Sequence, residues 1–526
     1  MTLPSHENCV SPFAGMDIAS WIAALARRHA DHPLLIFAPP EGPRRSWTYA
    51  QFLDAVQRVA GGLAKRGVKP GDRVMVHLEN CPEMLIARFA CAWAGAICVA
   101  TNAQAAGPEL EWFASSTGAV AAITQPKFAA LVAGHCGGLR WMAITVDDAG
   151  TPALTASRPS RAEDFNALID QPLPQRAPDP HAPASIMFTT GTTSRPKGVV
   201  WTHANVLWGA RINAMQQNMR SSDVSLIFLP LYHVVGLSWC ALSTMWAGGT
   251  IVLQPRFSAS RYWGVAHEFG ATIGSQVFFT MKALAAAGIP EHSFRSWIMP
   301  RHDPAQMARF GVGYVSGWGM TEVLTQAIVC EAGFEPPPGA IGRPGAGYRI
   351  RIVDDNNRQV EPGGSGHLLV GAVRGLSIFR NYDGDEEATR EAFDEAGYFR
   401  TGDRVILRED GWLQFGDRIK DVLKVGGEGV SASEIEAVIA KTPGVRECAV
   451  VAKSDPDYGE VPVAFVVAAE LSPQDALALP GVILARCAGS LAKFKVPRHV
   501  RLVAELPLVG FGKVSKAKLR EMAQDN

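Results

Sequence analysis

Residues Phe188 to Val199 read FTTGTTSRPKGV, and this dozen decides how the chain is built. The run before it, Ala184-Ser185-Ile186-Met187-Phe188, is small and apolar, like the end of a buried strand. The segment therefore reads as a strand opening into a loop of hydroxyls around one glycine. Backbone N–H groups and the hydroxyls of Thr189, Thr190, Thr192 and Thr193 about Gly191 can surround an anion, and Lys197 adds a point charge. Lys197 is followed by Gly198 rather than Ser or Thr, so this is not a Walker A loop. Most clusters of Gly, Ser and Thr are solvated surface loops, so the anion reading needs support from elsewhere in the chain.

At 526 residues the chain exceeds what one hydrophobic core supports, and two or more domains are expected. Hydrophobic residues make up 47% and charged residues 19%, which fits a globular protein with large cores. Lys+Arg 50 against Asp+Glu 50 leaves no net charge, so nothing points to nucleic acid or an anionic membrane surface. The nine Cys are scattered, without CxxC spacing, and read as free thiols in a reducing compartment. The opening MTLPSHENCV lacks the basic and apolar regions of a signal peptide, and residues 90–100 are too short an apolar run to span a bilayer. A cytoplasmic protein with no integral membrane contact is expected.

Helical periodicity covers Ile18–His29 and Thr48–Lys65, the latter opening on Thr48 as N-cap. Arg73–His77, Ala96–Val99 and Ala119–Thr124 read as strands, and Pro82–Gly95 as a buried helix. This alternation argues for mostly parallel sheets with helices on both faces. Residues 148–184, rich in Pro, Ala, Asp and Ser, read as a surface connection. After Gly339 the texture turns antiparallel, at Tyr348–Val353 and His367–Val370. The last hundred or so residues read as a small α+β domain. Its elements are helix Ser433–Lys441, strands Glu447–Val451 and Val463–Val467, and helix Pro480–Leu491 with Pro480 in the first turn.

Further motifs follow in order: Trp318-Gly319-Met320-Thr321-Glu322, then Thr401-Gly402-Asp403, then Gly416-Asp417-Arg418-Ile419-Lys420-Asp421 running to Gly426-Gly427-Glu428, then Gly512-Lys513. With the Phe188–Val199 loop they resemble the adenylate-forming superfamily of acyl-CoA synthetases, adenylation domains and luciferases. Pro230 to Gly236 resembles that family's Pro-x-x-His-x-x-Gly segment. The resemblance implies an α/β fold. A large N-terminal domain, residues 1–419, would hold mostly parallel sheets flanked by helices plus a distorted β-barrel. A smaller mobile α+β domain, residues 420–526, would follow a hinge at Lys420.

It also implies a reaction: a carboxylate attacks the α-phosphorus of ATP, pyrophosphate leaves, and the acyl-adenylate passes to CoA with release of AMP. Two anions must meet, so the site needs cations and preorganised donors more than a nucleophile. Thr189, Thr190, Gly191, Thr192, Thr193 and Lys197 would hold the β- and γ-phosphates. Glu322 would bind Mg²⁺ as a hard oxygen ligand. Thr321 would touch the α-phosphate and Trp318 would stack on adenine, with Gly317 and Gly319 leaving room for the ring. Asp403 would accept the ribose hydroxyls, joined by Arg418. Lys513 would bridge the substrate carboxylate and the α-phosphate. Gly426, Gly427 and Glu428 would open the CoA tunnel after the small domain swings. His233 would close the acyl pocket, whose other candidates by position are Ser238, Gln276, Phe278 and Thr325.

Ser194 stands where the family's loop has Gly, and Trp297-Ile298-Met299-Pro300 where it has Gly-Gly-Ala-Pro. That departure, with the segments Phe257–Trp263, Ser377–Tyr382 and Ala492–Pro497, resembles the crotonobetaine/carnitine–CoA ligase branch. Lys493 and Lys495 in the last segment read equally as contacts to CoA phosphates or as a solvated pair. A small polar or cyclic acid is the expected substrate, and a homodimer stays open. The alternatives are a stand-alone adenylation enzyme loading a carrier protein and a silent nucleotide-binding homologue.

Overall fold

Strand Pro183–Thr189 runs antiparallel to strand Lys197–Thr202, with Phe188 opposite Gly198 and Thr189 opposite Lys197. The strands on either side of the candidate anion loop are thus paired with each other. The structure, a computed structural model, describes residues 11–153, 159–189, 196–299, 303–330, 335–418, 422–469, 472–509 and 513–525. Thr190, Gly191, Thr192 and Thr193 lie outside the described residues, as does Lys420.

Pro183–Thr189 also pairs in parallel with Ile97–Ala100, which leads through Arg73–His77, Ala121–Thr124 and Trp141–Ile144 to Ala162–Asp164 in an eight-stranded sheet. Ile97–Ala100 and Ala121–Thr124 are buried at every position. Their sequences, ICVA and AAIT, are therefore continuously apolar rather than alternating, as strands covered on both faces must be.

A second sheet of thirteen strands carries the parallel run Pro33–Phe37, Thr250–Leu253, Val224–Ile227, Ile273–Ser275, Ser296–Met299 and Gly313–Trp318. Beyond Gly313–Trp318 it turns antiparallel, from Ile328–Cys330 to Arg349–Val353. A distorted barrel is expected somewhere in the large domain; among the described strands no pairing closes this end into one.

Helix Tyr49–Lys65 starts as expected, with the Thr48 side chain accepting from the Gln51 N–H and Gln51 returning a bond to the Thr48 N–H. Helix Pro82–Ala94 is buried on all sides and stops at Gly95, whose φ of +76° suits glycine alone. The connection before the hairpin is less superficial than its composition implies. Its turn Phe165–Leu168 buries Phe165 and Leu168. A Cβ on Gly62 would stand 1.8 Å from the Leu168 carbonyl oxygen, so the small residues of helix Tyr49–Lys65 let the connection lie flat upon it.

The C-terminal part has cores of its own, around Val430, Ile435, Val450 and Ile483 on one face and Val451, Phe465 and Leu519 on the other. Its sheet is antiparallel except where His499–Leu502 joins Gly459–Ala468 in parallel. One helix boundary departs from expectation. The helix spans Pro473–Ser490, capped by Ser472, and Pro480 lies inside it. Pro480 cannot donate to the Ala476 carbonyl. The helix persists because Leu479, Ile483 and Cys487 are drawn into the core, a tertiary gain that local propensity does not contain.

Candidate active site

In open α/β sheets ligands bind beyond the carboxyl ends of the strands, and here the two sheets share one such crevice. A cavity of about 1130 Å³ is lined by Ala100 and Thr189 from the first sheet and by Met299 and Trp318 from the second. Lys197, Thr321, Glu322, His233, Asp403, Gln276, Gly317 and Gly319 also line it, and the C-terminal part contributes Gly426, Gly427 and Glu428. Residues from motifs spread over 240 positions therefore share one space.

Glu322 is 4% exposed and its Oε1 accepts the Tyr382 hydroxyl at 2.8 Å. Burial, reinforced by the Glu322 carboxylate, raises the Tyr382 phenol well above its ordinary range, so it stays protonated and donates. The same ring lies 4.9 Å beneath the Lys197 ammonium. Tyr382 reaches this place because Asn381–Tyr382 pairs with Val199 and Val200 of the strand that carries Lys197. On the opposite wall the Trp318 indole N–H donates to Asp403 Oδ2 at 2.7 Å. Gly402, at φ +77°, precedes Asp403 where the register of the strand shifts. Asp403 and Arg418 are register partners on neighbouring strands; the Arg418 side chain lies outside the described part.

His233 is half-buried and its Nδ1 accepts the Val235 N–H at 3.3 Å, which in the neutral ring leaves the proton on Nε2. A Cβ on Gly236 would meet the Pro230 carbonyl oxygen at 2.3 Å, which explains the glycine of that segment. The π-helical turn Val235–Leu242 follows, a conformation often found at functional sites. It brings Trp239 to the cavity wall, where its N–H donates to the Leu324 carbonyl at 3.1 Å. Leu324 holds a φ of +64°, strained for a branched residue, immediately after the Thr321-Glu322-Val323 turn.

Several expectations need correction. Ser238 bonds to Asn213 and Thr325 to the Tyr348 hydroxyl; both are fully buried and neither lines the cavity. The turn that places Trp239 on the wall points its neighbour Ser238 into the protein. Gln276 lines the cavity, but its amide is engaged by the Tyr262 and Thr280 hydroxyls, so the acyl wall is more apolar than expected. The space beside Gly319 is taken by the Thr325 carbonyl, 2.2 Å from a would-be Cβ, and by the Trp239 ring at 2.7 Å. Beside Gly317 it is the Ile328 carbonyl, at 2.5 Å. A side chain at either position would therefore collide with protein atoms. The side chains of Phe278 and Lys513 lie outside the described part, though Lys513 itself pairs with Val509 in a short ladder.

The hairpin Val422–Val425 to Glu428–Ser431 turns on Gly426 and Gly427, at φ +61° and +92°, as a two-residue primed turn requires. Its tip stands 3.5 Å from Val277 of the large domain, measured from a Cβ built on Gly427.

Residues 22–383 match the AMP-binding enzyme family and residues 434–513 match its C-terminal domain. The chain belongs to the AMP-binding enzymes. A crotonobetaine/carnitine–CoA ligase of Salmonella paratyphi A is 31% identical over 510 residues, covering 94% of this chain and 97% of the relative. A double mutant of the o-succinylbenzoate CoA synthetase of Bacillus subtilis, bound with its product analogue OSB-NCoA, superposes with a TM-score of 0.81 at 25% identity over 95% of this chain and 98% of its own. The Bacillus enzyme in complex with AMP superposes at only 0.66, at the same identity and over 96% and 98% of the two chains.

Tyr382 and Trp239 escaped the sequence reading as site residues. Tyr382 lies in a stretch noted only for its branch likeness, and its strand pairing is what aims it. Nothing in the local sequence announces a π-helical turn. No helix among the described residues is long and apolar enough to cross a membrane.

Proposed function

We propose that this AMP-binding enzyme is an ATP-dependent carboxylic acid–CoA ligase acting on a compact, weakly polar acid. Adenylate formation releases pyrophosphate, and thioester formation at the same cavity releases AMP. One observation carries the reading: Lys197, Glu322 and Asp403 share a single cavity with the Gly426-Gly427-Glu428 hairpin. Lys197, with Thr189 and the loop after it, holds the β- and γ-phosphates. Asp403, fixed by Trp318, accepts the ribose hydroxyls, with Arg418 beside it. His233 and Thr321 orient the reacting carboxylate and α-phosphate, and Lys513 supplies positive charge there during adenylation.

Glu322 fits Mg²⁺, which takes one or two carboxylates plus phosphate oxygens and water rather than a protein cage. Its carboxylate is buried, lines the cavity and is oriented by a neutral donor. A bound Mg²⁺ would neutralise phosphate charge; the chain's part is to hold the carboxylate still.

Trp239 supports the compact acid. Its indole, tied to Leu324 and packed on Gly319, stands across the acyl end of the cavity beside Val235 and Val277. On this reading the indole limits the length of acyl chain, and a strongly polar acid finds the Gln276 amide already bonded to Tyr262 and Thr280. A ring or short branched chain satisfies both. Cytoplasmic placement and a homodimer are compatible with this reading.

The test is ATP–pyrophosphate exchange across a panel of acids, followed by addition of CoA or a carrier protein as acceptor. Exchange with a small cyclic or branched acid and thioester formation on CoA is the expected result. Faster turnover of palmitate than of every small acid, or preference for the carrier protein, overturns the proposal.

A further inference from the structure

Glu109 lies in the first turn of helix Gly107–Thr117, where its carboxylate accepts the Ala106 N–H at 2.8 Å. The same carboxylate takes two bonds from the C-terminal part, from the Ala492 N–H at 2.9 Å and the Lys495 ammonium at 2.5 Å. Lys495 also reaches Glu434, in the first turn of helix Ala432–Ile439, at 2.8 Å. The three side chains are 5%, 7% and 7% exposed. The sequence leaves Lys495 two roles, at CoA phosphates or in solvent; in the structure its ammonium is buried and paired inside the interface.

Burial alone would lower the Lys495 pKa, but Glu434 and Glu109 outweigh it and raise it. The ammonium therefore keeps its proton. A second contact across this interface is weaker: Lys282 and Asp457 meet at 2.6 Å but are 61% and 64% exposed, where water screens them.

The distribution of the three charges between the domains matters most. Lys495 and Glu434 both belong to the small domain and travel together. Glu109 belongs to the large domain and keeps its bond to Ala106 when the others leave. Separation therefore strands no lone buried charge; it breaks one ammonium–carboxylate and one amide–carboxylate contact and readmits water. Such a contact is strong when closed and tolerable when open, because the penalty for an unpaired buried ion is avoided in both states.

We propose that Glu109 and Lys495 are positioning residues that latch the small domain in the arrangement that forms the thioester, and that the latch opens for adenylation. The inference rests on the two-step ligase reading and on the better superposition with the CoA-analogue complex than with the AMP complex of the Bacillus enzyme.

The test is Glu109→Gln, which removes the charge but keeps the bond to Ala106, since Gln serves as well as Glu in that capping position. Pyrophosphate release in a single turnover and thioester formation from preformed adenylate plus CoA are measured separately. The expected result is a thioester step slowed on the order of tenfold to a hundredfold, the range of coupling between linked sites, with pyrophosphate release unchanged. Lys495→Met and the double variant complete a cycle, in which the two changes are non-additive in the thioester step alone. A thermal melt of each variant separates this from misfolding. Equal slowing of both steps, or of neither, overturns the latch. Wild-type protein that releases pyrophosphate but makes no thioester overturns the ligase reading itself, and the latch with it.

Discussion

Tyr382 links two charges that the reaction must keep apart from each other and close to phosphate. Its hydroxyl holds Glu322 and its ring face holds Lys197, so one side chain fixes the acidic and basic arms of the candidate triphosphate site. Tyr382→Phe keeps the ring and loses the hydroxyl. Hydrogen bonds to charged groups contribute about 1.5–3 kcal/mol, so pyrophosphate release should fall roughly ten- to a hundredfold, with a higher Mg²⁺ requirement; an unchanged Mg²⁺ titration would refute the role. Trp239→Leu removes the indole from the acyl end. Acids two or three methylenes longer should gain about tenfold or more in kcat/KM relative to the best compact acid, since each methylene is worth about 1–3 kcal/mol in a fitted pocket. A chain-length profile that does not move would place the limit elsewhere. His77 is fully buried with Nδ1 2.9 Å from the Thr101 hydroxyl, and burial pushes its pKa down to about 3. The unfolded chain takes up a proton below about pH 6.5 while the folded chain does not, so stability is full above that pH and falls as pH drops. Between about pH 6.5 and pH 5 the loss is about 2 kcal/mol. The stability difference between wild type and His77→Gln should narrow by that amount over the same interval in denaturant titrations.

Helix His203–Gln216 shows how a local signal acquires a tertiary duty. Thr202 caps it by accepting the Asn205 N–H at 3.0 Å, and its hydroxyl donates to the Gly375 carbonyl at 2.6 Å. The cap thus ties the strand that carries Lys197 to the segment that ends in Tyr382. Thr202→Val keeps the shape, loses both bonds and buries two unsatisfied groups. A loss of about 2 kcal/mol or more is expected, read as a lowered melting temperature, together with weaker ATP binding as the Tyr382 segment loosens. Unchanged ATP affinity would show that the cap serves stability alone. Caps of this kind are legible in sequence, as at Thr48, because hydroxyl–helix chemistry is local. The place of Pro480 is not legible, for the converse reason. Its local effect is helix-breaking, and only the burial of Leu479 and Ile483 against a sheet formed elsewhere carries the helix through it.

In the proposed reading the molecule works as two bodies around one cavity, and the connection between them decides which hairpin faces the substrate. Lys420→Pro fixes φ at the proposed hinge and should impair thioester formation about tenfold or more while sparing pyrophosphate release. Equal loss in both steps would move the hinge to another residue. The order of the motifs determined the family and the reaction class, and it pointed to residues that share one cavity. Those are chemical requirements written in contiguous segments, where a hydroxyl-rich turn or a Thr-Gly-Asp triplet carries its meaning with it. Three things waited for the tertiary structure. The acyl wall depends on a π-helical turn that aims Trp239 inward and Ser238 away. The Tyr382 clamp depends on a strand pairing between residues 181 and 183 positions apart. The Glu109–Lys495 contact depends on how two independently cored domains meet. Each is a relation between distant segments, set by packing free energy summed over the fold, and no local pattern of residues encodes such a sum.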